Sequence, residues 1–130
     1  MHTPGESVVP YYLELLQALH PLFSLTSKGT EGGVVDNAAA AVARMIMAVP
    51  TAVPMEQVLP VLLSALPLKT DRSENESVYT CLLGLIHLRH PEAMRSLDAI
   101  LRETPCCFVV LLFCVFIVVC VFSCFFLFCL

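Results

Sequence analysis

The sequence lacks the residue patterns that mark nucleic-acid-binding proteins and enzymes. Its seven lysines and arginines are scattered and form no run, so no basic surface is expected to follow a phosphate backbone. No nucleophile is paired with a base, no glycine loop is suited to cradling phosphate, and no two carboxylates stand at a catalytic spacing. We therefore expect a non-enzymatic protein that needs no cofactor and binds no nucleic acid.

Secretory and metal-binding patterns are missing as well. The opening MHTPGESVVPYY has neither the basic nor the apolar region of a secretory signal. One cysteine, Cys81, precedes residue 106, which fits a reducing compartment, and its place on the apolar side of a helix predicts a small buried side chain. His87 and His90 have H-x-x-H spacing, but a zinc site needs three or four ligands, so no metal is expected.

Prolines, glycines and polar stretches divide the body of the chain into five predicted α-helices. Apolar residues recur within them at spacings of three and four, which is typical of helices with one buried face. The predicted helices cover residues 8–23, 34–49, 55–66, 76–89 and 91–102. The expected buried stripes are Tyr12, Leu15, Leu16 and Leu19 in the first helix, Ala39, Val42, Ala43, Ile46 and Met47 in the second, Tyr79, Leu82, Leu83 and Ile86 in the fourth, and Met94, Leu97 and Leu101 in the fifth.

These helices are arranged as repeating pairs. One helix pair occupies residues 55–91. The second and fourth predicted helices are separated by a similar distance along the chain, residues 34–75. A helix pair that recurs every roughly 40–47 residues is the signature of HEAT and armadillo solenoids, in which each pair stacks on its neighbours. The predicted fold is therefore all-α, with about two and a half HEAT-like pairs at 8–104, a tail at 1–7 and a separate hydrophobic segment at 105–130. Neither end has a capping repeat with a polar outer face, so we expect a piece of a longer solenoid.

Several short motifs of this body occur in a fixed order. They are the pair Asp36 and Asn37, the small-residue helix through residues 41–45, the LPLK at 66–69, and Asp71 in the loop that follows. In this order and spacing, residues 8–102 resemble the C-terminal HEAT-repeat region of the importin-β (karyopherin-β) family of nuclear transport receptors. The resemblance implies a receptor, moving between cytoplasm and nucleus, that carries basic cargo such as histones or ribosomal proteins through the nuclear pore. It also implies that Ran GTPase and nucleoporins bind to other parts of such a receptor.

Five polar residues are candidates for a ladder between repeats or for contact with a partner. They are Asp36, Asn37, Arg44, Lys69 and Asp71. The resemblance to HEAT stacks implies that an aspartate at a helix start and an arginine further along connect neighbouring repeats. The alternative interpretation is that Asp36 is a helix N-cap and Arg44 is solvated. Contact of these residues with cargo is a third interpretation.

The end of the chain, residues 106–130, differs from everything before it. It carries no charge and contains six of the seven cysteines. It is longer than the about 20 apolar residues that span a bilayer, so it predicts a membrane helix, and a tail-anchored membrane adaptor is the alternative function. The segment uses a restricted set of residues that T-rich codons encode, and translated intron or gene-model sequence explains this better than an evolved membrane anchor does. Both explanations, the intron-derived segment and the membrane anchor, stay open.

Overall fold

The computed structural model describes residues 6–25 and 32–104, and this part of the chain is helical throughout, without a β-strand. The α-helices are α1 (Tyr12–Leu19), α2 (Gly32–Ala48), α3 (Met55–Ser64), α4 (Asn75–His87), α5 (Pro91–Arg95) and α6 (Leu97–Glu103). Short 3-10 helices cover Glu6–Tyr11, His20–Ser24, Pro50–Ala52 and Arg72–Glu74. The all-α prediction is confirmed for this part of the chain, and α2, α3 and α4 start and end within about two residues of the predicted limits.

The predictions made for residues 105–130, a membrane helix or an intron-derived segment, lie outside the described residues. The same holds for most of the predicted tail at 1–7. Within residues 6–25 and 32–104, no helix combines the length and the apolar character needed to cross a bilayer.

Proline shortens the first helix. The predicted helix at 8–23 is helical along its length, but it is α-helical only over Tyr12–Leu19, with 3-10 turns on both sides. Pro10 and Pro21 lie in those turns and have no N–H to donate to the carbonyl four residues earlier. The tighter 3-10 geometry, common at helix ends, therefore replaces the α-helix there.

The predicted fifth helix, 91–102, is two helices in the structure. Ser96 adopts φ −95° and ψ 13°, outside the α-helical region, and separates α5 from α6. The spacing rule for one straight helix therefore does not apply. The predicted stripe is wrong at Met94 and Leu101, which are each 43% exposed, while Leu97 is partly buried. Ala93 and Ile100 are the buried residues of this region.

The core lies between two sets of helices. α2 packs along α4, while α3 packs against α5 and α6. Small residues on α2 permit the close approach to α4, because Ala39, Ala40 and Ala43 are fully buried. The largest fully buried side chains are Ile46, Leu59, Leu62, Val78, Cys81, Leu82 and Ile100.

The other predicted stripes are confirmed in part. In α2, Ala39, Val42, Ala43 and Ile46 are buried as expected, whereas Met47 is exposed. In α1, Tyr12 and Leu16 are buried and Leu19 is partly buried, whereas Leu15 is exposed. In α4, Tyr79 and Leu82 are buried, and Leu83 and Ile86 are partly buried.

Some buried positions of α2 and α3 recur in the following helices at an offset of 38 or 39 residues. Pairs of buried residues about 38 positions apart are Ala40 and Val78, Ala43 and Cys81, Met55 and Ala93, and Leu62 and Ile100. The unit formed by α2 and α3 is thus repeated by α4 with α5 and α6. This internal repetition is consistent with the HEAT-like helical-pair arrangement.

Candidate functional site

Asp36 is a buried carboxylate that connects α2 to the loop before α4. The helix begins at Gly32, so Asp36 lies in its second turn, and the N-cap interpretation is wrong. The residue is 3% exposed, and its Oδ2 accepts hydrogen bonds of 2.7 Å from the backbone N–H groups of Thr70 and Asp71. Such donors are what a carboxylate needs when it is removed from water, because an unpaired buried charge is costly.

The loop that supplies these donors is fixed from two sides. Leu66 and Leu68 are buried in the core and anchor the segment that follows α3. Asp71 then accepts hydrogen bonds at Oδ1 from the backbone N–H of Ser73, at 3.1 Å, and from the Ser73 hydroxyl. A continuous set of hydrogen bonds therefore runs from Asp36 through Asp71 to the 3-10 turn that leads into α4. We call this set, together with the Arg44 contacts described next, the α2–α4 junction.

Arg44 makes the second connection, about two turns further along α2. Its Nη2 donates to Oε2 of Glu74 at 2.5 Å and to Oγ of Ser77 at 3.3 Å. The side chain of Arg44 is 55% exposed and that of Glu74 is 20% exposed, so the ion pair is partly screened by water. Pairs of this kind contribute about 0.2–1 kcal/mol to stability.

The structure brings three of the five predicted site residues together and leaves two apart. Asp36, Arg44 and Asp71 all belong to the junction. Asn37 and Lys69 are exposed beside it, and no hydrogen bond or ion pair of their side chains occurs within residues 6–25 and 32–104. Whether the five residues act as a ladder between repeats or as a partner contact stays a prediction.

Two side chains, those of Glu74 and Ser77, accept hydrogen bonds from Arg44, and sequence reasoning missed both. A usable signal was present. Glu74 and Asn75 repeat, in the next helical unit, the acid–asparagine pair that Asp36 and Asn37 form before. Alignment of the two units against each other finds this acidic position. The Oδ1 atom of Asn75 is buried without a hydrogen-bond partner among the described residues.

An apolar groove lies between α1 and α3, away from the junction, with a volume of about 250 Å³. Its walls include Leu13, Leu19 and Phe23 on one side and Val58 and Val61 on the other. Leu13 is 61% exposed, so the groove opens to solvent through an apolar side chain. Sequence reasoning missed this groove because it depends on the distance between two helices.

His90 and Cys81 contribute to the fold, as a helix cap and as a buried side chain. His90 Nδ1 accepts a hydrogen bond of 3.3 Å from the backbone N–H of Glu92 and thereby caps α5. Cys81 is 1% exposed, and burial raises the pKa of its thiol to about 12, so the predicted buried side chain is confirmed and the thiol is protonated at neutral pH. In the described part of the chain, no three histidine, cysteine or acidic side chains come together as metal ligands would.

Comparison with known proteins adds a relationship at the level of sequence. Over 96 residues, 74% of this chain, the sequence is 34% identical to the probable importin subunit beta-4 of Schizosaccharomyces pombe. This similarity supports a relationship to the importin-β family. The match covers 9% of the length of that relative. No protein-family model matches the chain, and no solved structure matches it.

Proposed function

We propose that the helical body is part of a nuclear import receptor of the importin-β family, in which HEAT-like helical pairs bind cargo without catalysis. The observation that carries this proposal is the 34% identity to an importin subunit, which extends over 96 residues. The recurrence of buried positions in the α2–α3 and α4–α6 units supports it independently. The finer resemblance of the motifs, to the C-terminal region of importin-4, belongs to the same proposal.

In this proposal the α2–α4 junction has a structural role: it fixes one helical unit against the next. Two properties support that role over direct cargo contact. Asp36 is buried, and its carboxylate is already occupied by the N–H groups of Thr70 and Asp71. Asn37 and Lys69, exposed at the edge of the junction, are the better candidates for contact with a partner.

The proposed cargo is a basic protein, such as a histone or a ribosomal protein. The chain has a formal net charge of −4, and all of its charged residues precede residue 104. The helical body therefore carries the whole negative charge, which attracts basic proteins over long distances. Ran GTPase and nucleoporins are proposed partners of the complete receptor, which moves between cytoplasm and nucleus.

A binding experiment with matched partners tests this function. The full chain is immobilised and titrated with core histones, or with an acidic protein of similar size as the control partner, at physiological ionic strength. We expect saturable histone binding that weakens as salt is added, and none of the acidic protein. Asn37→Ala should weaken binding, while Gln57→Ala in the distant groove should not; Lys69→Ala, which removes a positive charge, should not weaken binding of a basic partner. Equal retention of histones by an unrelated acidic protein of the same net charge would contradict the proposal.

A further inference from the structure

Ser73 stands in an acidic sequence at the centre of the α2–α4 junction. Asp71 lies two residues before it, Glu74 directly after it and Glu76 three residues after it. No other serine or threonine of the sequence has acidic residues at both the first and the third following position. A kinase whose peptide-binding groove is basic selects this pattern by charge complementarity.

The turn that carries Ser73 contributes no buried side chain to the core. Ser73 is solvent-exposed, and the 3-10 turn Arg72–Glu74 contains no buried residue. The backbone bonds of the turn are few: Glu74 donates to the Asp71 carbonyl at 3.3 Å, and Asn75 donates to the Arg72 carbonyl. Regions with few buried contacts open locally more readily than the core, and a kinase can bind this segment in extended form once the bond from the Asp71 N–H to Asp36 opens with the turn.

We propose that Ser73 is a phosphorylation site for an acid-directed serine/threonine kinase, and that the phosphate loosens the α2–α4 junction. The kinase transfers the γ-phosphoryl group of ATP to Oγ of Ser73. The bond from phosphorus to the oxygen that it shares with the β-phosphate breaks, a phosphorus–Oγ bond forms, ADP leaves, and the hydroxyl proton passes to the base of the kinase. This inference does not depend on the proposed transport function.

The hydrogen bonds of the junction give the phosphate its effect. The Ser73 hydroxyl donates to Oδ1 of Asp71, and a phosphate, which carries about −1.5 to −2 charges at neutral pH, cannot donate there and repels the carboxylate. The backbone N–H of Asp71 is bound to Asp36, so displacement of Asp71 disturbs the link to α2. Arg72 is exposed in the same turn, and Arg44 is held by Glu74 and Ser77. If the phosphate draws Arg44 away, the second contact between α2 and the start of α4 is also lost.

The first test is phosphorylation of the full chain with magnesium, ATP and purified casein kinase 2 as the acid-directed probe. Peptide mass spectrometry should find phosphate on Ser73 and none on Ser64, an exposed serine that is followed by Ala-Leu-Pro. Glu76→Gln, at an exposed position, should slow the reaction at Ser73 about tenfold, because one charge contact with the kinase is lost. Absence of phosphate from Ser73, equal phosphate on Ser64, or an unchanged rate in Glu76→Gln would overturn the assignment.

The second test measures the junction itself. Phosphorylated wild-type chain should melt below the unmodified chain by circular dichroism, because the links between α2 and the start of α4 are weakened. In the Asp71→Asn background, where repulsion of the carboxylate is absent, phosphorylation should change Tm by less than half as much. Ser73→Ala keeps the exposed turn without the modifiable hydroxyl, and its Tm should not respond to the kinase. A phosphorylated wild-type chain with unchanged Tm would refute the coupling of Ser73 to the junction.

Discussion

Replacement of Asp36 by alanine should destabilise the helical body more than loss of any other polar side chain at the α2–α4 junction. The substitution removes an acceptor that holds two backbone N–H groups at 2.7 Å and leaves both donors without their partner. Hydrogen bonds to a charged group contribute about 1.5–3 kcal/mol each. Thr70 is exposed and Asp71 is half-buried, so water can partly replace the carboxylate, and we expect a total loss of about 3 kcal/mol.

Two matched variants separate charge from geometry at this position. Asp36→Asn keeps the size and one acceptor oxygen but loses the charge. It should cost about 2 kcal/mol, because each of the two bonds changes from a charged to a neutral acceptor, a difference of about 1 kcal/mol per bond. Asn37→Ala, at the exposed neighbouring position, should change stability by less than about 0.5 kcal/mol.

Urea denaturation of the full chain, followed by circular dichroism, measures these differences as a shift in midpoint at constant m. Native-state hydrogen exchange adds a local readout, because the amides of Thr70 and Asp71 should lose protection in Asp36→Ala while those at the centre of α4 keep their order of protection. If Asp36→Ala were no less stable than Asn37→Ala, the buried carboxylate would not hold the loop, and the reasoning would fail.

Three further predictions concern an ion pair, a buried thiol and a backbone angle. Arg44→Ala should cost about 0.2–1 kcal/mol, and, unlike the loss at Asp36, this cost should shrink in 1 M salt, because the pair with Glu74 is exposed. Burial raises the pKa of Cys81 from 9.0 to about 12, so between these values the native thiol keeps a proton that the unfolded thiol loses. The free energy of unfolding should therefore be unaffected by this group below pH 9 and should fall between about pH 9 and 12. Urea titrations at each pH should show that Cys81→Ala removes this part of the decline. Arg89 has φ 52°, in the left-handed region that glycine adopts without strain, so Arg89→Gly should raise stability by about 0.5–1 kcal/mol. Leu88→Gly, at an α-helical φ of −74°, is the control and should lower stability. A loss of stability in Arg89→Gly would contradict the strain argument.

The sequence was sufficient for most of the fold because its periodic signals come from helices that run without a break over two turns or more. α2 shows this well: Ala39, Val42 and Ile46 follow the spacing of one helical face, and the structure buries all three. The failures come from local backbone changes that a spacing rule does not contain. Ser96 breaks the last predicted helix, and Pro10 and Pro21 convert the ends of the first one into 3-10 turns.

The candidate site was predictable only as a set of residue types. A carboxylate and an arginine within one helix identified Asp36 and Arg44, but the donors to Asp36 are main-chain N–H groups, which have no signature in a sequence. The apolar groove was out of reach for a related reason. It is defined by the separation of α1 and α3, a property of packing that the apolar patterns of the two helices do not specify.

The use of main-chain donors by Asp36 affects which substitutions the loop tolerates. Any residue except proline supplies an N–H at positions 70 and 71, so the side chain of Thr70 is free to change without loss of the bond to α2. The aspartate, by contrast, has few substitutes, because the bond uses its side chain. Divergence is thus expected to concentrate on the loop side of the link, where a single buried acid can keep its two hydrogen bonds while the sequence facing it varies.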